Sequence, residues 1–236
     1  MSIEQPTTGS ENEPDRIAKE ARLEKMWADL EEVADAEGHG VDAGIKETVA
    51  VVNALGFPTA QSCEGHVRTD RPYPWVRIAA PDEPPERYVG QNELFNRMAQ
   101  ENGVLVGELK RGTPEGLYWQ VLGEVMKNGE TEEYLSWREK NNKLHKRIAP
   151  LVGKFNEGRV VDEAIKLECE DRDGLAFEIR SEEENTALNL KEDLPEEEEK
   201  KLTRTLALKR IEMESFTQFL KKHYFSMEFC ISSVKE

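Results

Sequence analysis

Two alternating runs, AIKLECED and LAFEIRSE, flank Arg172-Asp173-Gly174, and no other stretch restricts the fold as much. Asp-Gly between two runs of period two marks a β-hairpin. Ile165, Leu167 and Cys169 share one face of the first run, and Leu175, Phe177 and Ile179 one face of the second. A lone hairpin with a single apolar face is marginal in water, so further strands or helices must cover it.

The rest of the chain supplies both. Leu23, Met26, Trp27, Leu30 and Val33 recur at spacings of three and four, and so do Ile45, Val49, Val52 and Leu55. Each set is the stripe of an amphipathic helix. Asp42 stands where an N-cap belongs and Gly56 where a left-handed stop belongs. A helix near 88–100 is expected to end at Asn102-Gly103. The run VLVGELK that follows alternates as a strand would. Another helix is expected to stop before Pro150. After an acid-rich link beginning at Glu182, Pro195 and four glutamates open a long C-terminal helix to about Tyr224, because proline and acids suit a helix start.

Two short extended segments, FPTAQSC and PWVRIAA, add to the hairpin. In the second, Val76 and Ile78 point one way, Trp75 and Arg77 the other. Pro74 and Pro81 bracket it, which favours an edge strand or a short one. The predicted fold class is therefore α+β: amphipathic helices packed on a small, mainly antiparallel sheet with strands near 57–63, 75–80, 164–170 and 175–181, and a long C-terminal helix laid back across it. Residues 1–14 read as a polar, acidic, disordered tail, and 15–236 as a single domain with a sub-boundary near 150–162.

Hydrophobic residues make up 37% and charged residues 34%, so exposed helices and tails must hold the excess charge. The net charge of −16 opposes duplex nucleic acid and anionic membrane surfaces, both of which demand a basic face. Three cysteines, Cys63, Cys169 and Cys230, do not make a disulfide framework. With no apolar run long enough to span a bilayer and no leader-like start, a soluble protein of a reducing cytoplasm is expected.

Chemistry-bearing residues concentrate in GFPTAQSCEGHVRTDRPYPWVRI, Gly56 to Ile78. A helix, a glycine stop, a short strand and a loop place Cys63, Glu64, Gly65, His66, Arg68, Arg71, Trp75 and Arg77 at a strand end, where sites are commonly built. Four readings stay open. Cys63 is a nucleophile with His66 as its base. Or Cys63 and His66, with Glu64, hold a metal; a tetrahedral site wants three or four ligands. His39, His145, His223, Cys169 and Cys230 offer no matching pair, so no metal ligand is assigned. Or the arginines bind an anionic or polar ligand in a two-pronged way, with Gly65 giving backbone N–H groups and Tyr73 or Trp75 a stacking face. Or the loop is structural, with Cys63 a small buried hydrophobe and Glu64, Asp70 and the arginines paired on the surface.

LGFPTAQSCEGH followed by PYPWVRI resembles a T-x-x-S-C-E-G-H motif seen in uncharacterised bacterial and phage proteins. It is also similar to the wybutosine-synthesis tRNA methyltransferase family, through Thr59, Ser62, Cys63 and Gly65. Glu64 and His66 stand where that family shows Ser and Arg. The resemblance implies a related fold around the loop and carries no activity across.

The expected function is binding of a small polar or anionic ligand in the 62–77 loop. The alternatives are a non-catalytic interaction protein that presents helical faces to a protein partner, and an enzyme or metal site on Cys63 and His66. No cofactor and no reaction are named.

Overall fold

The computed structural model describes residues 13–34, 38–68, 71–172, 174–181 and 194–226. The stretch expected as a tail lies outside these residues up to position 12. In chain order the helices are α1 (Glu13–Asp29), α2 (Ala43–Ala54), α3 (Gln91–Asn102), α4 (Val106–Lys110), α5 (Glu115–Val125), α6 (Glu132–Asn156) and α7 (Glu196–Ser226). The strands are β1 (Thr59–Cys63), β2 (Trp75–Ile78), β3 (Leu167–Arg172) and β4 (Ala176–Ser181). The fold is α+β, with a four-stranded antiparallel sheet in the order β1-β2-β4-β3. The chain divides into two compact units: one holds the described residues up to Ala79, His145–Arg172 and those from Ala176 onward, the other Ala80–Leu144 and the hairpin tip.

The first unit is built on the sheet. Register sets Val76 opposite Ile179, Ile179 opposite Cys169, and Ile78 opposite Phe177. With Leu167 these residues make one apolar face. The C-terminal half of α6 covers it: His145 packs on Phe177 at 5.3 Å, and Asn156 donates to the Leu167 carbonyl. Phe216 of α7 packs edge-on against Phe155 of α6. Helix α7 also lies on α2, where the Thr48 and Thr217 hydroxyls share a buried 2.7 Å hydrogen bond. The opposite face of the sheet is polar. It carries Cys63, Trp75 and Arg180 in one row and Gln61, Arg77, Glu178 and Glu170 in the next.

The hairpin forms as its pattern predicts, with Gly174 at φ +70° in the turn, the left-handed conformation a short loop of this type needs. Asp173 itself lies outside the described residues. Helix α2 stops where expected: Gly56 takes φ +83°, and Phe57 N–H returns to the Val52 carbonyl.

Four expectations are corrected. β2 is short, but it is internal, paired on both sides. Pro74 and Pro81 fall outside its paired residues, so no ladder hydrogen bond is lost. The run Val106–Lys110 is a short helix, because Gly103 at φ +65° stops α3 and the next turn needs only Leu109 inside. Helix α6 passes through Pro150 to Asn156. Pro150 is exposed, so the carbonyl that it leaves without a donor can meet water. Beyond it Val152 and Phe155 are buried, and their packing offsets the penalty of roughly 3 kcal/mol. Asp42 occupies the N-cap position of α2 but makes no capping bond to its own helix.

In the second unit α3, α4 and α5 enclose a core of Leu94, Phe95, Leu109, Val121 and Val125. The first half of α6 adds Trp137, which donates to the Ala80 carbonyl, and Asn141, which accepts from Ala80 N–H. Among the described residues no helix is long and apolar enough to cross a membrane.

Candidate functional site

The site grows from the end of β1. After Cys63 the backbone turns at Gly65, φ +84°, where a Cβ would stand 2.6 Å from the Tyr73 carbonyl carbon and 2.8 Å from Leu206. Only glycine fits such an approach in that conformation. The turn is held from three sides. Glu64 N–H donates to the Asp42 carboxylate, while the Glu64 carboxylate accepts from Gly44 N–H. The two acids have exchanged places: Glu64 caps α2 from outside the helix, and Asp42 is released toward the loop. From α7, Arg210 donates to the carbonyls of Glu64 and Gly65 and pairs with the Glu64 carboxylate at 3.0 Å. His66 N–H closes the loop on the Arg71 carbonyl.

The predicted residues separate into two groups. Cys63 and His66 meet Asp42: a thiol sulfur, an imidazole nitrogen and a carboxylate oxygen lie within 4.8 Å of one another. Cys63 is buried, and its sulfur accepts Gly65 N–H at 3.2 Å. His66 Nε2 lies 3.5 Å from Asp42 Oδ2. Glu64, expected beside them as a ligand, instead has both oxygens engaged in the clamp by Gly44 and Arg210.

Arg71, Trp75 and Arg77 form the second group, around Glu178. That carboxylate is fully buried. It accepts from Arg71 at 2.9 Å and from Arg77 through Nε and Nη2 at 3.0 and 2.7 Å. Both guanidinium groups lie by the Trp75 ring, at 5.1 and 5.8 Å from its centre. Tyr73 is likewise buried, near Arg180 and Lys209. The ring faces expected to stack on a ligand are thus occupied by the protein's own cations.

A cavity of about 830 Å³ opens on this second group. Gln61, Trp75 and Arg77 line it from the sheet, Arg71 from the loop before β2, and Met26 and Leu30 from the side of α1. Asp29, also in its wall, is neutralised by Lys25 at 2.6 Å. Cys63 and His66 are not part of that wall. Trp75 is 92% buried, and its indole Nε1–H has no acceptor among the described residues. Arg77 gives three hydrogen bonds, two to Glu178 and one to Gln61, of the five that a guanidinium can donate.

Arg68 belongs to neither group. It turns to α7 and forms a two-pronged pair with Glu199. This contact holds the Arg68 guanidinium above its usual range and the Glu199 carboxyl below its own. The arginines thus pair with acids distant in sequence. Glu64 pairs with Arg210, and Asp70 lies outside the described residues.

Sequence reasoning missed Asp42, Glu178 and Arg210. Asp42 was explained as a cap, and Arg210 sits in a helix rich in cations. Glu178 alternates onto the polar face of its strand, and nothing local marks its burial beneath Arg71 and Arg77. Comparison with known protein families, curated proteins and solved structures returns no significant match.

Proposed function

We propose that the protein binds a small anionic ligand, a carboxylate or a phosphate, in the cavity bounded by Arg71, Trp75 and Arg77. The observation that carries this reading is the Arg77 guanidinium in the cavity wall, which gives three hydrogen bonds to Glu178 and Gln61 of the five that it can donate. The remaining donors supply charge-assisted hydrogen bonds to a ligand oxygen. Buried Glu178 fixes both guanidinium groups before a ligand arrives, so little order is lost on binding. The volume suits a metabolite-sized molecule, since such pockets run from about 300 to 1,000 Å³.

The test is calorimetric titration and thermal shift of the full chain with inorganic phosphate, pyrophosphate and citrate. One of these probes should bind and raise the melting temperature. Arg71→Gln and Arg77→Gln each remove a guanidinium from the cavity wall and should weaken binding by about tenfold or more. Absence of binding by all three probes, or variants that bind like the parent, would reject the proposal in favour of a purely structural loop.

A further inference from the structure

Asp42, Cys63 and His66 come from three places: the start of α2, the end of β1 and the loop beyond it. Their donor atoms nevertheless converge within 4.8 Å. We propose that they bind a zinc-type divalent cation, with a fourth coordination position open to solvent. The inference is independent of the anion cavity, whose wall does not include Cys63 or His66.

Ligand bonds of about 2.0–2.3 Å at tetrahedral angles put neighbouring donor atoms roughly 3.5 Å apart. The His66 nitrogen and the Asp42 oxygen already stand at 3.5 Å, and the sulfur lies within 4.8 Å of both. The donor set is informative. One sulfur, one nitrogen and one oxygen suit a borderline-soft ion and do not suit magnesium or calcium, which take oxygen.

The surroundings do what outer ligand shells do. Gly65 N–H donates to the sulfur and fixes its direction. Glu64 N–H donates to Asp42 Oδ2, the same oxygen that stands 3.5 Å from His66 Nε2, and so holds the carboxylate in place. Such outer contacts orient metal ligands. Arg210 and Leu206 of α7 hold the turn that carries two of the three ligands. Cys63 is sealed, while the Asp42 and His66 side chains are about a third exposed, so the remaining position faces water. Three protein ligands and one exchangeable position are the arrangement of catalytic rather than structural zinc.

The full chain is stripped with chelator and titrated with Co²⁺, then with Zn²⁺, with metal content measured by mass spectrometry. One equivalent should bind, and cobalt should give thiolate-to-metal charge-transfer absorption. That band should vanish in Cys63→Ser and persist in Cys169→Ser. Zn²⁺ affinity should fall by at least about tenfold in His66→Ala and in Asp42→Asn. Asn at position 42 keeps an acceptor for Glu64 N–H, and circular dichroism confirms that each variant is folded. A folded parent that binds no cobalt would overturn the proposal. So would a band that survives Cys63→Ser, or affinities unchanged in His66→Ala and Asp42→Asn.

Discussion

Gly65 shows how one residue fixes a site. Its positive φ and the 2.6 Å approach of the Tyr73 backbone leave no room for a side chain. Gly65→Ala should cost roughly 3 kcal/mol, combining left-handed strain with overpacking. Urea denaturation would measure it, and loss of the Arg210 contacts should accompany it. At this scale the sequence was half transparent. Cys63, Gly65 and His66 are close in the chain, and a glycine between polar residues at a strand end has few other uses. Asp42 was hidden because a side chain at a helix start has a ready local explanation. Its true partner, Glu64 N–H, is set by how α2 lies on β1. Glu178 was hidden for a related reason: alternation places an acid on the polar face of a strand, but not its burial beneath two arginines.

Elements were more readable than contacts. The hairpin, the α2 stop at Gly56 and the C-terminal helix all follow from local rules, because periodicity and turn chemistry act over a few residues. The readings that failed, at Val106–Lys110 and Pro150, are places where packing outweighed local preference. Pro150 sits in the exposed interior of α6. Pro150→Ala should therefore raise stability, by about 2 kcal/mol once the added freedom of the unfolded chain is counted. Thermal unfolding would check the sign. Helices α2 and α7 offer a second test at the buried Thr48–Thr217 bond. Thr48→Val removes this bond while the Thr217 hydroxyl keeps its donation to the Met213 carbonyl, so it should cost about 1 kcal/mol, and the Thr48→Val, Thr217→Val pair should cost less than the two single changes summed. In a double-mutant cycle in urea the cost of the double variant would equal the sum of the two single costs if the hydroxyls were independent.

Across the whole molecule, protons couple to folding through groups in both units. Burial, assisted by Asp171, pushes the Cys169 thiol up to about 12. Burial likewise raises Tyr134 and Tyr224 above their ordinary range. Between the ordinary thiol value of 9.0 and about 12, the folded chain keeps protons that the unfolded chain has released. Stability is therefore fully present below that window and should fall as pH rises through it. Urea midpoints measured across the range would show the decline, and Cys169→Val should flatten part of it.

The outermost position of β3 has its own consequence. A strand at the rim of a sheet offers unpaired backbone to any passing neighbour, and proteins blunt such rims with charge. Here Glu168, Glu170 and Asp171 stand along it, so a second molecule docking rim to rim would press like charges together. The hairpin that seeds the sheet thus also carries, at Glu168 and Asp171, charge that disfavours its extension by a second copy.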